Sequence, residues 1–270
     1  FCIDIAGPSA AGMAGAAGMA GAAGMGSAAG PVLLEEGIRF TILSPSQAGR
    51  FRGIGDAEWT VPGQPPLNTS RPYRWNSKAK PGRSLAIFFY YAELHEEVAH
   101  RQGLCDGESL ARKIRARFMP DSSVQLVHVA ADGEFFGHHR RRGHESLAQA
   151  MEWLETEGAE VVNYAQFLDL YPPPQEVEIV ERTAWSCSHG LGRWSSDCGC
   201  KIEPDKSTQQ KWRRPMLDAL DWLKARIDEV YEGEAAALFR DPWPARDDYV
   251  ARIIDGSPAA ADDFLSRHAS

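Results

Sequence analysis

The stretch Val124–His139 constrains this chain more than any other. Residues 124–131 are a short apolar run, rich in Val with His128 inside it, and predict a buried strand. Asp132-Gly133-Glu134 follows where that strand would leave its sheet, and residues 145–157 carry a helical pattern. Strand, polar loop, helix is the repeating unit of parallel α/β folds, whose ligands bind just beyond the carboxyl ends of the strands. The loop therefore holds the candidate chemistry.

The flanking sequence extends the alternation. Val32-Leu-Leu-Glu-Glu-Gly37 reads as a helix end closed by glycine. Residues 38–43 alternate and predict a strand stopped by Ser44-Pro45. Residues 53–83, rich in Pro, Gly, Asn and Ser, predict a long loop, and residues 84–90, apolar throughout, a strand buried on both faces. Helices are expected near 93–101 and 107–118, a short strand at 160–163, and a helix at 164–171 ended by three prolines. Strands alternating with helices predict the α/β class, as a parallel sheet or barrel. In the last third, Trp212, Met216, Leu220, Leu223, Ile227 and Val230 recur at steps of three or four, one apolar helical face expected to pack on the α/β part. Helical segments near 233–240, 245–255 and 259–267 complete an all-α tail.

The first thirty residues differ in kind. A Gly-Met-Ala-Gly-Ala-Ala repeat, marked by Met13, Met19 and Met25, offers little side chain to bury against the entropy of ordering it, and predicts a disordered low-complexity segment. Three parts are therefore expected: residues 1–30, an α/β part over 31–180, and a Cys/Trp loop with helical region over 181–270. With 270 residues, 43% of them apolar, a sizeable core is possible. A net charge of −8 argues against duplex nucleic acid or an anionic membrane as partner. No apolar run has bilayer-spanning length, and no signal-peptide pattern is visible. Three of the five cysteines crowd into 187–200, unlike a spaced disulfide framework, so a reducing, cytoplasmic location is expected. No cofactor is expected, and the oligomeric state is open.

Asp132 and Glu134 stand two residues apart across Gly133, which lets the backbone bend so that both carboxyl groups point one way. One can sit with a raised pKa and donate a proton while the other stays ionised. The bland alternative is a solvated Asp-Gly turn, but the following Phe135-Phe136-Gly137-His138-His139 ill suits a mere surface turn. His138, His139 and His144 could instead ligate a metal with Asp132, although adjacent histidines diverge. His128 reads as a satisfied core histidine. In the second cluster, Thr183–Cys200, Trp185 and Trp194 offer faces for a sugar ring, and His189, Arg193 and Asp197 offer hydrogen bonds to hydroxyls. Cys187, His189, Cys198 and Cys200 could bind zinc, though Cys-x-Cys is not the usual spacing; a disulfide or buried thiols are the alternative. Arg71, Tyr73 and Trp75 could line a cleft, while Arg74 and Asn76 would face water.

These residues resemble glycoside hydrolase family 57, which includes α-amylase-like and α-mannosidase-like members, and in particular members that end in a domain of unknown function. The matching segments are Gly37–Pro45, Asn68–Trp75, Ala130–His139, Trp185–Gly190 with Arg193-Trp194 and Asp197–Cys200, and Trp212–Pro215. The resemblance implies a (β/α)₇ barrel, here partial, followed by a helical region, and hydrolysis or transfer of α-glycosidic bonds with retention. It places the general acid/base at Asp132 and implies an α-glucan or oligosaccharide as substrate; beside it, the residues themselves offer Glu134, His138, His139, Trp185, His189, Trp194, Asp197, Arg71 and Trp75 as candidate substrate contacts. Retention needs two carboxyl groups across the scissile bond. The family's nucleophilic Glu belongs upstream of Val32, where this chain has the Gly/Ala/Met repeat and no Glu; the expectation is a fragment of low or no activity alone. Two other readings fit the same residues: a non-catalytic carbohydrate-binding or interaction module, and a metal-dependent carbohydrate deacetylase-like enzyme using Asp132 with His138 or His139.

Overall fold

The structure, a computed structural model, describes residues 29–63, 65–99, 106–120, 124–201 and 207–270. The low-complexity segment up to residue 28 lies outside the described residues, as do Cys2 and Cys105; residues 29 and 30, expected to belong to that segment, are already helical. The chain forms two compact units, one α/β and one helical.

The α/β unit begins with α1 (Ala29–Glu35), which Gly37 ends at a φ of +72°. The strands are β1 (Phe40–Leu43), β2 (Ala48–Gly53), β3 (Tyr73–Asn76), β4 (Ser84–Phe89) and β5 (Gln175–Ile179). They make one mixed sheet in the order β1-β4-β3-β5-β2. β1 runs parallel to β4 with Phe40 opposite Ala86, and β3 parallel to β5; β3–β4 and β2–β5 are antiparallel. The helices are α2 (Ala92–Ala99), α3 (Gly107–Arg115), α4 (Gly143–Thr156) and α5 (Tyr164–Leu170). Asp106 caps α3 through the amides of Glu108 and Ser109, and Asn163 caps α5 through that of Gln166.

β4 is buried on both faces, as its apolar run requires. Leu85, Ile87 and Phe89 join Leu34, Leu43, Phe51, Tyr73, Trp75 and Val177 in one cluster, while Phe88 joins Ile42, Tyr90, Tyr164 and Phe167 in another. Successive side chains of a strand point to opposite faces, which divides them so. A third cluster, with Val98, Leu110, Ala111, Ala150 and Leu154, binds α2, α3 and α4 together.

Several expectations are corrected. Residues 124–131 and 160–163 form no strand; the first segment is tied to the 68–76 loop by Leu126 N–H donating to the Ser70 carbonyl (2.9 Å). The region 53–83 contains β3, and β2 and β5 were not anticipated. Their outward side chains are charged and pair across the sheet: Arg50 Nε donates to Glu178 Oε2 (2.8 Å), and Glu176 accepts from Arg52 Nη2 (2.9 Å), Arg74 Nη2 (2.6 Å) and Asn76 Nδ2 (3.1 Å). Arg74 and Asn76 thus bind Glu176 rather than simply facing water.

The helical unit comprises α6 (Gly192–Ser195), α7 (Arg213–Ala235), α8 (Pro242–Ile254) and α9 (Pro258–His268). Phe264 of α9 is buried against Phe239 and Tyr249. Along α7, Met216, Leu220, Leu223 and Ile227 are exposed. Among the described residues no helix is long and apolar enough to cross a membrane.

Candidate functional site

Asp132 stands at the mouth of a one-turn 3₁₀ helix, Gly133–Phe136, with its backbone extended (φ −65°, ψ 138°) and its carbonyl accepting the Phe135 amide (3.1 Å). Phe135 and Phe136 pack against the α2–α3–α4 cluster, and Gly143, the first residue of α4, lies so close to the Phe135 carbonyl that a Cβ there would clash. Two aromatic anchors and a close backbone approach hold the turn, which leaves Asp132, Gly133 and Glu134 exposed. Gly137, at a φ of +152°, ends it.

The turn also organises the histidines. The amides of His138 and His139 both donate to the Glu134 carbonyl, and His139 Nε2 lies 3.2 Å from Glu134 Oε2. The His138 and His139 rings are 4.9 Å apart, and both side chains are exposed, as is His144. Glu134 therefore pairs with an imidazole rather than with Asp132. The donor atoms of Asp132, His138 and His139 form no converging set among the described residues, where the one group of three or more metal-type donors that converges lies elsewhere.

His95, which the sequence reading passed over, joins two pieces of this region. Its Nδ1 is 2.6 Å from the carbonyl oxygen of Ala130; a carbonyl only accepts, so Nδ1 carries the proton. Its ring meets the Trp185 indole edge-on at 5.7 Å and lies 5.5 Å from Tyr90. The helix α2 thus links Trp185 to the segment that delivers Asp132. The available signal was positional: His95 follows the carboxyl end of strand β4, whose residues 85–89 are buried, and α/β folds place their ligands beyond such strand ends.

His128 is the core histidine the sequence suggested. Its Nε2 lies 3.3 Å from the Thr69 carbonyl and donates to it; Nδ1 then accepts from the Tyr164 hydroxyl (2.6 Å). Burial pushes its pKa down to about 4, so it is neutral near pH 7. Trp75 and Tyr73 lie in the core and do not line a cleft: Trp75 covers Gly30, and the Tyr73 hydroxyl donates to the Asn68 carbonyl (3.0 Å), with burial pushing its pKa up to about 12. Arg71 is half-buried at the head of β3, its Nε buried without a hydrogen-bond partner among the described residues.

Trp185 and Trp194 are both exposed enough to stack on a flat ligand, at 38% and 47%. Asp197 serves the backbone, its Oδ1 accepting the Gln210 amide (2.9 Å). His189 is exposed, with Nδ1 3.6 Å from Cys187 Sγ.

Fold and turn together define a mixed α/β protein that carries an exposed carboxylate site followed by a separate helical unit. The model of glycosyl hydrolase family 57 matches residues 29–180, more than half of the chain, and the chain belongs to that family. A domain of unknown function, DUF3536, matches residues 209–270. Among solved structures, the chain is similar to an exo-type maltose-forming amylase from Pyrococcus sp. ST04, with 14% identity, a TM-score of 0.48, and coverage of 67% of this chain and 33% of that one. It is also similar to a 4-α-glucanotransferase from Thermococcus litoralis, with 14% identity, a TM-score of 0.41, and coverage of 79% and 29%. The chain thus spans a third or less of the length of these two structures. No curated protein matches it.

Proposed function

We propose that this chain carries the acid/base half of a retaining glycosidase acting on α-linked glucans or oligosaccharides. The observation that carries the reading is Asp132: an exposed carboxylate inside the family 57 match, on a turn held rigid by Phe135 and Phe136, with Trp185 attached through His95 to the residue two positions before it. In the first step the Asp132 carboxyl protonates the departing glycosidic oxygen while a Glu attacks the anomeric carbon; in the second, the Asp132 carboxylate removes a proton from the water that releases the sugar. Glu134, held by His139, serves as a hydroxyl ligand, and Trp185 as a stacking face. The five-stranded sheet would be part of a (β/α)₇ barrel whose further strands supply the nucleophile, because this sequence has no Glu upstream of Val32.

The test has two arms. The 270-residue chain alone should turn over maltooligosaccharides weakly or not at all. A polypeptide that adds the family's upstream strands should be active, and Asp132→Asn in it should lower kcat at least about 100-fold, as loss of a general acid does. An Asp132→Asn rate equal to that of the parent would remove this residue from the mechanism.

A further inference from the structure

Cys198-Gly199-Cys200 has chemistry that glycosidic cleavage does not use. Both cysteines carry free thiols, both are half-buried, and their sulfurs lie within 4.8 Å of each other. They belong, with the residues that position them, to the helical unit that begins at Gly192. We propose that Cys198 and Cys200 are a reversible dithiol–disulfide pair, a site of oxidation by small disulfides of the glutathione disulfide kind. The proposal is independent of any role for Asp132.

The spacing suits a bond between them. A disulfide needs Cα atoms about 4.4–6.8 Å apart. A fully extended chain sets residues two apart at about 7 Å, just beyond that range. Gly199 holds a φ of +81°, which bends the chain between the two cysteines and shortens the span. The sulfurs then meet by rotation of two side chains between staggered positions.

The bend is set by residues further along the same unit. Gln210, a buried amide, accepts the Gly199 amide (3.0 Å) and donates to the Cys200 carbonyl (2.6 Å), gripping the chain on both sides of Cys200. Asp197 Oδ1 accepts the Gln210 amide (2.9 Å). Arg213, which opens α7, aims Nη1 at the Ser196 carbonyl (3.4 Å) and at Cys198 Sγ (3.4 Å). The backbone is held, so exchange has only the two thiol side chains to move.

Arg213 divides the roles. A guanidinium beside a sulfur favours the thiolate, the form that attacks a disulfide. Cys198 is therefore the attacking group and Cys200 the resolving one. The Cys198 thiolate attacks one sulfur of the small disulfide, forming a mixed disulfide and expelling the other half as a thiolate. Cys200, its proton passed to water, attacks the Cys198 sulfur, closes the intrachain bond and expels the second half. Two protein thiols are oxidised and one small disulfide is reduced to two thiols, with nothing else consumed. An accessible disulfide across a single intervening residue is of the labile kind, and excess small thiol reopens it by the same steps.

The experiment uses the full chain purified under reductant without chelator, its metal content measured, then exchanged anaerobically into glutathione buffers of graded oxidised-to-reduced ratio. Free thiols are alkylated and the peptides mapped by mass spectrometry. One Cys198–Cys200 disulfide is expected to form in a single two-electron step across the series and to be lost again in dithiothreitol, while Cys187, which is buried, stays a free thiol. Cys200→Ser should stop at a glutathione adduct on Cys198. That adduct should form several-fold more slowly when Arg213→Gln is added, and at an unchanged rate with Arg214→Gln, whose guanidinium pairs with Asp218. Because a serine variant can fail to fold, the wild-type map decides by itself. Thiols still reduced at the most oxidising ratio, a disulfide to Cys187 instead, a wild-type adduct that never resolves, or a bound metal ion that shields both thiols from alkylation would each overturn the proposal. An unchanged rate with Arg213→Gln would overturn the division of roles.

Discussion

Replacing His128 by glutamine removes the one imidazole that is buried among the described residues, and whose neutrality the core enforces. Its pKa is about 4 in the fold against an ordinary 6.5. Between those values the unfolded chain binds the proton and the native chain does not, so native stability rises with pH across that window. The contribution is complete above about pH 6.5, declines as pH falls, and is gone below about pH 4. The difference between those two values, at about 1.4 kcal/mol for each tenfold change, amounts to about 3.5 kcal/mol. Urea unfolding of wild type and His128→Gln from about pH 7 to about pH 4 isolates it. Acid losses from carboxylates that the fold holds ionised, Glu176 and Glu178 among them, are common to both proteins and cancel. The glutamine variant should be less stable at neutral pH, having lost the bond pair to Thr69 and Tyr164, yet show the shallower pH dependence. Parallel stability curves for the two proteins would refute the account of a neutral histidine enclosed by Phe88, Tyr91 and Tyr164.

Two further outcomes rest on the same geometry. Glu176→Ala strands Arg52 and Arg74 on the sheet without their shared acceptor and should cost roughly 3 kcal/mol by urea titration, with Glu176→Gln milder; equal stability of all three proteins would count against the knot as a stabilising feature. Gly190→Ala meets both a left-handed backbone and the Arg182 carbonyl and should lose about 2 kcal/mol or more, whereas Gly37→Ala, with open space around it, should lose about 1; a thermal melt ranking Gly37→Ala as the worse would contradict the packing.

What could be read without coordinates was what a residue's near neighbours decide. The run Ser84–Phe89 declares a doubly buried strand by itself, and Gly37 marks a helix end through local chemistry. β2 and β5 were illegible for the opposite reason. Gln175-Glu-Val-Glu-Ile179 and Ala48-Gly-Arg-Phe-Arg-Gly53 look like charged loops until each arginine is set opposite its glutamate, and that register lies in neither segment alone. Conversely, residues 124–131 have a strand's composition and no strand beside them to complete a ladder. The carboxylate turn was readable because Asp-Gly-Glu and its two phenylalanines are contiguous. His95 was not, because its partners Ala130 and Trp185 are far along the chain and only the fold brings them to it.

The pairing of β2 with β5 has a consequence in time. Arg52 and Glu176 are 124 residues apart, and no local turn can introduce their strands. Synthesis proceeds from the amino terminus, so β2 emerges early and must wait, its hydrogen-bonding edge unclaimed, until β5 is made. Closing so large a loop is slow compared with forming a hairpin. The nascent chain thus passes much of its synthesis with that edge open to strangers, and its arginines, which repel a like-charged neighbour, are the guard it carries meanwhile.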